Sequence, residues 1–111
     1  MRKKQQKKYQ AELKKILETV IEKYKPEKVV LFGSTAKGNM EEGSDIDLLA
    51  IKKTRKRRVD RILEVSRYLE DTFLPVDILV YTPEEFLQAQ ADNLMFIEEV
   101  VNHGKVIYEK S

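Results

Sequence analysis

Short apolar runs that alternate with helix-like segments constrain the fold of this chain more than any other feature. Three runs rich in β-branched residues have the length of strands, Val29–Phe32, Ile46–Ile51 and Val76–Tyr81. Around them, Tyr9–Tyr24 and Val59–Phe73 repeat apolar residues at steps of three and four, which predicts amphipathic helices. The order helix, strand, turn, strand, helix, strand, helices predicts one α/β domain.

The last third of the chain carries clear signals for helix starts and stops. Thr82 is a predicted N-cap, followed by Pro and then by Glu85, the pattern of a capping box. Leu94–Val101 forms another helical face, and Gly104 suits the left-handed position after a helix. Val106–Tyr108 is a predicted short strand at the sheet edge.

Length and composition limit the classes of function. The 111 residues suit one domain, and a net charge of +2 argues against wholesale binding of nucleic acid. There is no cysteine, so disulfides and thiolate metal sites are excluded. The polar, basic start is not a secretory signal, and the apolar stretches fall far short of the roughly 20 residues of a membrane span. We therefore expect a cytoplasmic domain that does not enter the membrane.

Two aspartates, Asp45 and Asp47, stand at the start of the second predicted strand. Alternate strand residues share a face, so both carboxylates project the same way, roughly 6.6 Å apart along the chain. Two like charges that are partly shielded from water are costly unless a cation neutralises them. Carboxylate oxygens suit Mg²⁺ or Mn²⁺. The pattern therefore predicts a divalent metal site.

A third carboxylate, Asp77, lies within the apolar strand Val76–Tyr81. The preceding helix, Val59–Phe73, has the right length for a crossover between parallel neighbours, so Asp77 can converge with the first two aspartates. Three such carboxylates suit two-metal phosphoryl chemistry, in which one ion activates the attacking hydroxyl and the other holds the triphosphate. The alternative is that the three residues separately cap a turn, pair with a lysine and lie at an edge.

The segment after the first strand is turn-rich and suited to phosphate. Gly33 ends the strand where backbone amides can approach an anion, because no side chain stands in the way. Ser34 adds a hydroxyl donor at the same place. A short helix that began after this turn would favour phosphate further at its N-terminus.

These residues resemble the signature of a known enzyme superfamily. Gly33-Ser34, Gly38 and Ser44-Asp45-Ile46-Asp47-Leu48 are similar to the two-part motif of the DNA polymerase beta-like nucleotidyltransferases. The closest likeness is to the minimal nucleotidyltransferase branch, many members of which are antitoxins paired with HEPN-family toxins. The resemblance extends from the first helix to the last strand, and it implies a small mixed sheet flanked by helices.

The resemblance also implies roles for individual residues. Asp45 and Asp47 would be metal ligands, Asp77 the third catalytic carboxylate and metal ligand, and Gly33 and Ser34 would hold the triphosphate. The other residues predicted to bind the nucleotide are Lys37, Gly38 and Ser44. Members of the family often carry Arg where this chain has Lys37, which keeps the charge but loses bidentate geometry.

The function predicted from these observations is metal-dependent transfer of a nucleotidyl group, AMP from ATP, to a hydroxyl acceptor. Mg²⁺ is the expected ion, two per site, with Mn²⁺ as a substitute. The acceptor site must be completed by another subunit, a second copy of this chain or a partner protein, for which the resemblance implies a HEPN-type toxin. The alternatives are a non-catalytic antitoxin that masks its partner, and a nucleotidyltransferase acting on a small molecule.

Two weaker signals have structural interpretations. The basic run Lys52–Arg58 could contact RNA, a nucleotide tail or an acidic partner, but a solvated loop leading into a helix is the favoured interpretation. His103, the only histidine, is predicted in the last turn of a helix, where a cation suits the helix dipole.

Overall fold

A computed structural model of the chain describes residues 3–33 and 45–110. Helix α1 is followed directly by a π-helical turn, and three further helices and four strands complete the described fold. The bounds are α1 Lys3–Thr19, π turn Val20–Tyr24, β1 Lys28–Phe32, β2 Ile46–Ile51, α2 Arg58–Arg67, β3 Val76–Tyr81, α3 Pro83–Ala91, α4 Met95–His103 and β4 Lys105–Glu109.

The four strands form one mixed sheet in the order β3-β2-β1-β4. Strand β1 is antiparallel to both β2 and β4, whereas β2 and β3 are parallel. Helix α2 makes the crossover between the parallel pair, as predicted. The predicted bounds of β2 and β3 are confirmed at both ends, and so is the small mixed sheet flanked by helices.

The sheet separates two hydrophobic cores. On one face, α1, the π turn and α2 cover the sheet; on the other, α3 and α4 do so. Fully buried residues of the first core include Ile16, Val20, Leu48 and Val65. The second core is built around Val30, Leu49, Tyr81, Ala89, Ile97 and Val100. Among the described residues, no helix is long and apolar enough to cross a membrane.

Helix α2 differs from its predicted form in both length and orientation. It ends at Arg67, whereas the periodicity predicted helix through Phe73. Val59, Leu63 and Phe73, predicted on the buried face, are 64%, 54% and 59% exposed. The predicted face was therefore wrong in these positions.

A buried arginine explains the orientation of α2. Arg61 is buried, with Val65 one turn further along the same face. Its guanidinium donates to both carboxylate oxygens of Glu85, at 2.6 and 3.3 Å, and to the backbone oxygens of Val80 at 3.2 Å and Lys56 at 2.6 Å. These bonds turn Arg61 inward, and the apolar residues at other positions of the helix are left in solvent.

The predicted capping box is confirmed, but the predicted role of Gly104 is wrong. The Thr82 hydroxyl accepts a hydrogen bond from the Glu85 backbone, and the Glu85 carboxylate accepts one from the Thr82 backbone. Gly104 is extended, with φ −74° and ψ 156°, not left-handed. A Cβ there would lie 2.3 Å from the Val100 carbonyl oxygen and 2.7 Å from Val30 Cγ1, so close packing is what requires glycine.

Candidate active site

Strands β2 and β3 place two of the predicted catalytic residues side by side. Asp47 and Asp77 are directly paired in the parallel register, and neighbouring strands lie about 4.8 Å apart. Paired residues project from the same face of the sheet, so the two carboxylates are neighbours. Asp45 lies two residues before Asp47, just ahead of β2. Asp47 is half-buried, whereas Asp45 and Asp77 are exposed.

The three aspartates lie near enough to affect one another, and they are here called the acidic cluster. Burial raises the pKa of the Asp47 carboxyl, and the nearby charges of Asp77 and Asp45 raise it further. Since both neighbours act on Asp47, the structure brings together the three carboxylates that the sequence singled out. Negative charge is concentrated at this end of the sheet.

Gly33 closes the end of β1 against the acidic cluster. Its φ is +76°, a conformation that side chains other than glycine rarely adopt. A Cβ on Gly33 would lie 2.4 Å from Asp47 Oδ2, closer than any side chain can approach. The residue is therefore glycine for two reasons, its backbone conformation and its contact with the Asp47 carboxylate.

An aromatic pair stands beside Asp47 on the same face of the sheet. Phe32 is the cross-strand partner of Asp47 and packs edge-to-face on Phe96 of α4, with ring centroids 5.2 Å apart and an interplanar angle of 84°. The aromatic pair is therefore the apolar neighbour of Asp47 on the β1 side.

Comparison with known proteins identifies the family. Residues 14–111 match the family described as "Polymerase beta, Nucleotidyltransferase". The chain belongs to this nucleotidyltransferase family. A relative from Methanocaldococcus jannaschii, named a "putative protein adenylyltransferase", is 36% identical over 96 residues, which cover 84% of this chain and 89% of the relative. The predicted membership is confirmed, and the minimal nucleotidyltransferase branch fits these matches.

Solved structures share the fold of this nucleotidyltransferase. A "putative nucleotidyltransferase" from Sulfolobus solfataricus superposes with a TM-score of 0.57 at 24% identity, covering 89% of this chain and 78% of that chain. A toxin–antitoxin crystallised with AMP-PNP superposes with a TM-score of 0.55 at 21% identity, covering 91% of this chain and 73% of that chain. A mutant of the MntA–HpeT toxin–antitoxin superposes with a TM-score of 0.54 at 22% identity, covering 88% of this chain and 72% of that chain.

The donor chemistry of the acidic cluster fits a hard divalent cation. Within residues 3–33 and 45–110, no group of three or more His, Asp or Glu side chains is arranged so that it could hold a metal ion by itself. Mg²⁺, however, usually takes one or two carboxylates and completes its shell with water and substrate phosphates. Asp47, with Asp45 and Asp77 beside it, offers such carboxylates. The residues therefore fit an ion shared with a triphosphate.

The predicted phosphate-binding turn is only partly within the described structure. Gly33 is described and lies against the acidic cluster. The other predicted nucleotide-binding residues, Ser34, Lys37, Gly38 and Ser44, lie outside the described residues.

One residue that the sequence interpretation missed is Glu12 of α1. It is buried, and its carboxylate accepts a hydrogen bond from the Phe73 backbone at 2.8 Å. The segment after Phe73 leads into β3, where Pro75 accepts a hydrogen bond from the Ile46 backbone at 2.9 Å. The signal was present in the sequence, because Glu12 lies four residues before Ile16 and thus interrupts the apolar face of α1.

The basic run lies at the far end of β2 and β3 from the acidic cluster. It forms a largely exposed loop that leads into α2, as the favoured interpretation predicted. Lys56 pairs with Glu64, and the Arg57 side chain pairs with Asp60 at 3.1 Å. Arg58 lies over the Tyr81 ring, 4.5 Å from its centroid. His103 is the exposed last residue of α4, also as predicted.

Proposed function

We propose that this nucleotidyltransferase transfers AMP from ATP to a hydroxyl group on a protein partner, using divalent metal ions held by the acidic cluster. The observation that carries the proposal is the in-register pairing of Asp47 with Asp77, next to Asp45 and in close contact with Gly33. Like charges at this spacing are costly by themselves and favourable around a cation.

In the proposed reaction, the three residues of the acidic cluster have different roles. Asp45 and Asp47 would hold Mg²⁺, which neutralises the triphosphate and lowers the pKa of the attacking hydroxyl when it is bound. Asp77, which is exposed, would face the acceptor and help take up the hydroxyl proton. The acceptor oxygen then forms a bond to the α-phosphorus as the bond to the leaving pyrophosphate breaks.

The comparisons support ATP as the donor and a protein as the acceptor. The Methanocaldococcus relative is named a protein adenylyltransferase, and a toxin–antitoxin of the same fold was crystallised with AMP-PNP. Together with the family resemblance, they lead us to propose a HEPN-type toxin as partner and an antitoxin role for this chain. A cytoplasmic location, where ATP is available, stays a prediction.

The test is to co-express this chain with the protein encoded beside it and to measure the intact mass of that partner. We expect an increment of one or more AMP groups with the wild type and none with Asp47→Asn. The matched control is Asp71→Asn, which makes the same chemical change at an exposed position outside the acidic cluster.

Each result separates the proposal from its alternatives. A modified partner with the wild type and with Asp71→Asn, but not with Asp47→Asn, supports protein adenylylation. A stable complex of unchanged mass would show that the chain neutralises its partner by masking. Absence of both a complex and a modification would point to a small-molecule acceptor, which a screen with labelled ATP would then identify.

A further inference from the structure

Glu12 is a buried carboxylate that the proposed reaction does not use. Its exposed fraction is 6%, and it lies on the face of α1 that packs on the sheet. Burial of a carboxylate is unfavourable unless hydrogen bonds compensate it. Here the compensation comes from the backbone N–H of Phe73, 61 residues further along the chain, at 2.8 Å.

The bond fixes the path of the backbone and does not bury the Phe73 side chain. The Phe73 ring is 59% exposed, and Lys8, one turn before Glu12 on α1, lies over it at 5.6 Å from the ring centroid. Two residues of α1 therefore hold the same point of the chain. A contact that served only the hydrophobic core would bury the ring, and this one does not.

The segment that Glu12 holds is connected to both strands of the acidic cluster. Two residues after Phe73, the Pro75 carbonyl accepts a hydrogen bond from the backbone N–H of Ile46, which lies between Asp45 and Asp47. Two residues further on is Asp77. Displacement of this short segment would therefore change the position of Asp77 relative to Asp47.

We propose that Glu12 is a positioning residue for the acidic cluster, fixing residues 73–75 so that Asp77 stands beside Asp47. The inference rests on the proposed function, since it takes the cluster as the catalytic site. Catalysis by positioned groups is sensitive to small displacements, and a shift of about 1 Å can cost on the order of a hundredfold in rate.

The experiment compares three substitutions of Glu12 with a control on the same helix. Glu12→Ala removes the acceptor, Glu12→Asp shortens it by one methylene, and Glu12→Gln keeps an oxygen that can accept the same hydrogen bond. The control is Glu18→Ala, because Glu18 is exposed and pairs with Lys14 at the surface, at 3.9 Å.

Two readouts are measured, one with and one without catalysis. With ATP, Mg²⁺ and the partner protein, we expect Glu12→Ala and Glu12→Asp to lower kcat about tenfold or more with the KM for ATP within about twofold, because geometry is lost but nucleotide binding is not. Amide hydrogen exchange should speed up at Phe73 and Ile46 in both variants. Glu12→Gln and Glu18→Ala should resemble the wild type in both readouts.

The outcomes decide the inference separately from the proposed function. Wild-type exchange at Phe73 and Ile46 in Glu12→Ala and Glu12→Asp would overturn it, as would an unchanged kcat in those variants. A loss in Glu12→Gln equal to that in Glu12→Asp would show that an accepting oxygen at the original reach does not preserve the activity, which also overturns it. If Glu12→Ala does not fold, the Asp and Gln variants decide. A wild type that modifies no acceptor would refute the proposed function. The hydrogen-exchange data would still test whether Glu12 fixes residues 73–75.

Discussion

At Asp47, burial and the charges of Asp77 and Asp45 act in the same direction, and all three raise the pKa of the carboxyl. The folded chain therefore binds this proton more tightly than the unfolded chain, in which the pKa is about 3.9. It follows that the free energy of unfolding falls as pH rises from the unfolded pKa of Asp47 to its folded pKa. Above the folded pKa, the contribution of Asp47 falls no further. The charge that the proposed reaction needs is one that the fold disfavours.

The first prediction concerns Asp47→Asn in metal-free buffer. Because the amide does not ionise, we expect the variant to unfold at higher urea concentration than the wild type at about pH 7. The gain should shrink as pH falls toward about 3.9, where the wild-type carboxyl is protonated too. Urea titrations across this range measure it, with Asp71→Asn as the control. A gain that did not depend on pH would contradict the electrostatic explanation.

The second prediction concerns Gly33→Ala. The left-handed φ costs an alanine roughly 1–2 kcal/mol, and its Cβ would displace the Asp47 carboxylate. We therefore expect both lower stability and loss of transfer activity. Gly104→Ala is the matched control, because its Cβ also clashes, but with Val100 and Val30 in the core. It should lose stability while its folded fraction keeps activity, and thermal unfolding beside single-turnover assays separates the two effects.

Among the secondary-structure elements, α2 and α3 are joined by a partly buried ion pair. Arg61 contacts both carboxylate oxygens of Glu85, and the Arg61 side chain is only 7% exposed. The hydrogen bond from Arg61 is the main reason that the pKa of Glu85 is lowered. The stabilisation is therefore present above the unfolded pKa of Glu85 and is lost as pH falls through its folded pKa.

The third prediction concerns removal of this arginine. Arg61→Ala removes the buried guanidinium that donates to Glu85 and to two backbone carbonyls, so we expect a loss of about 3 kcal/mol in the free energy of unfolding. Arg61→Lys should not restore it, since a single ammonium cannot reproduce the bidentate contact. The control Arg57→Ala breaks an exposed pair with Asp60 and should cost about 0.2–1 kcal/mol. Denaturant unfolding gives all three values, and equal losses in Arg61→Ala and Arg57→Ala would contradict the prediction.

Some elements could be predicted from the sequence because their signals are local. The bounds of β2 and β3 coincide with apolar runs, and the start of α3 follows from the capping box at Thr82. The exposed face of α2 could not be predicted, because Arg61 turns inward only when Glu85, 24 residues away, is beside it. Gly104 was misjudged for the same kind of reason, since its constraint comes from packing on Val30.

At the scale of the whole molecule, the sequence indicated only part of the order of the strands in the sheet. The length of the segment between β2 and β3 indicated their parallel pairing, and with it the meeting of Asp47 and Asp77. The pairing of β4 with β1 had no such signal beyond an expected edge position. The partner of Glu12 could be found only in the tertiary structure, because the Phe73 amide is identical in kind to every other backbone amide.

The outermost position of β4 has a consequence for how the molecule behaves in crowded solution. Strand β4 covers the edge of β1, whose central residues Val29–Leu31 are all buried. An uncovered β1 would offer unpaired backbone groups along an apolar strand, a template for pairing with other chains. Strand β4 itself is poorly suited to pair with a further strand, because its register with β1 is interrupted by a bulge. It also begins and ends with charged residues, Lys105 and Glu109. Strand β4 thus contributes no residue to the acidic cluster, yet it occupies the backbone groups of β1 that could otherwise pair with another chain.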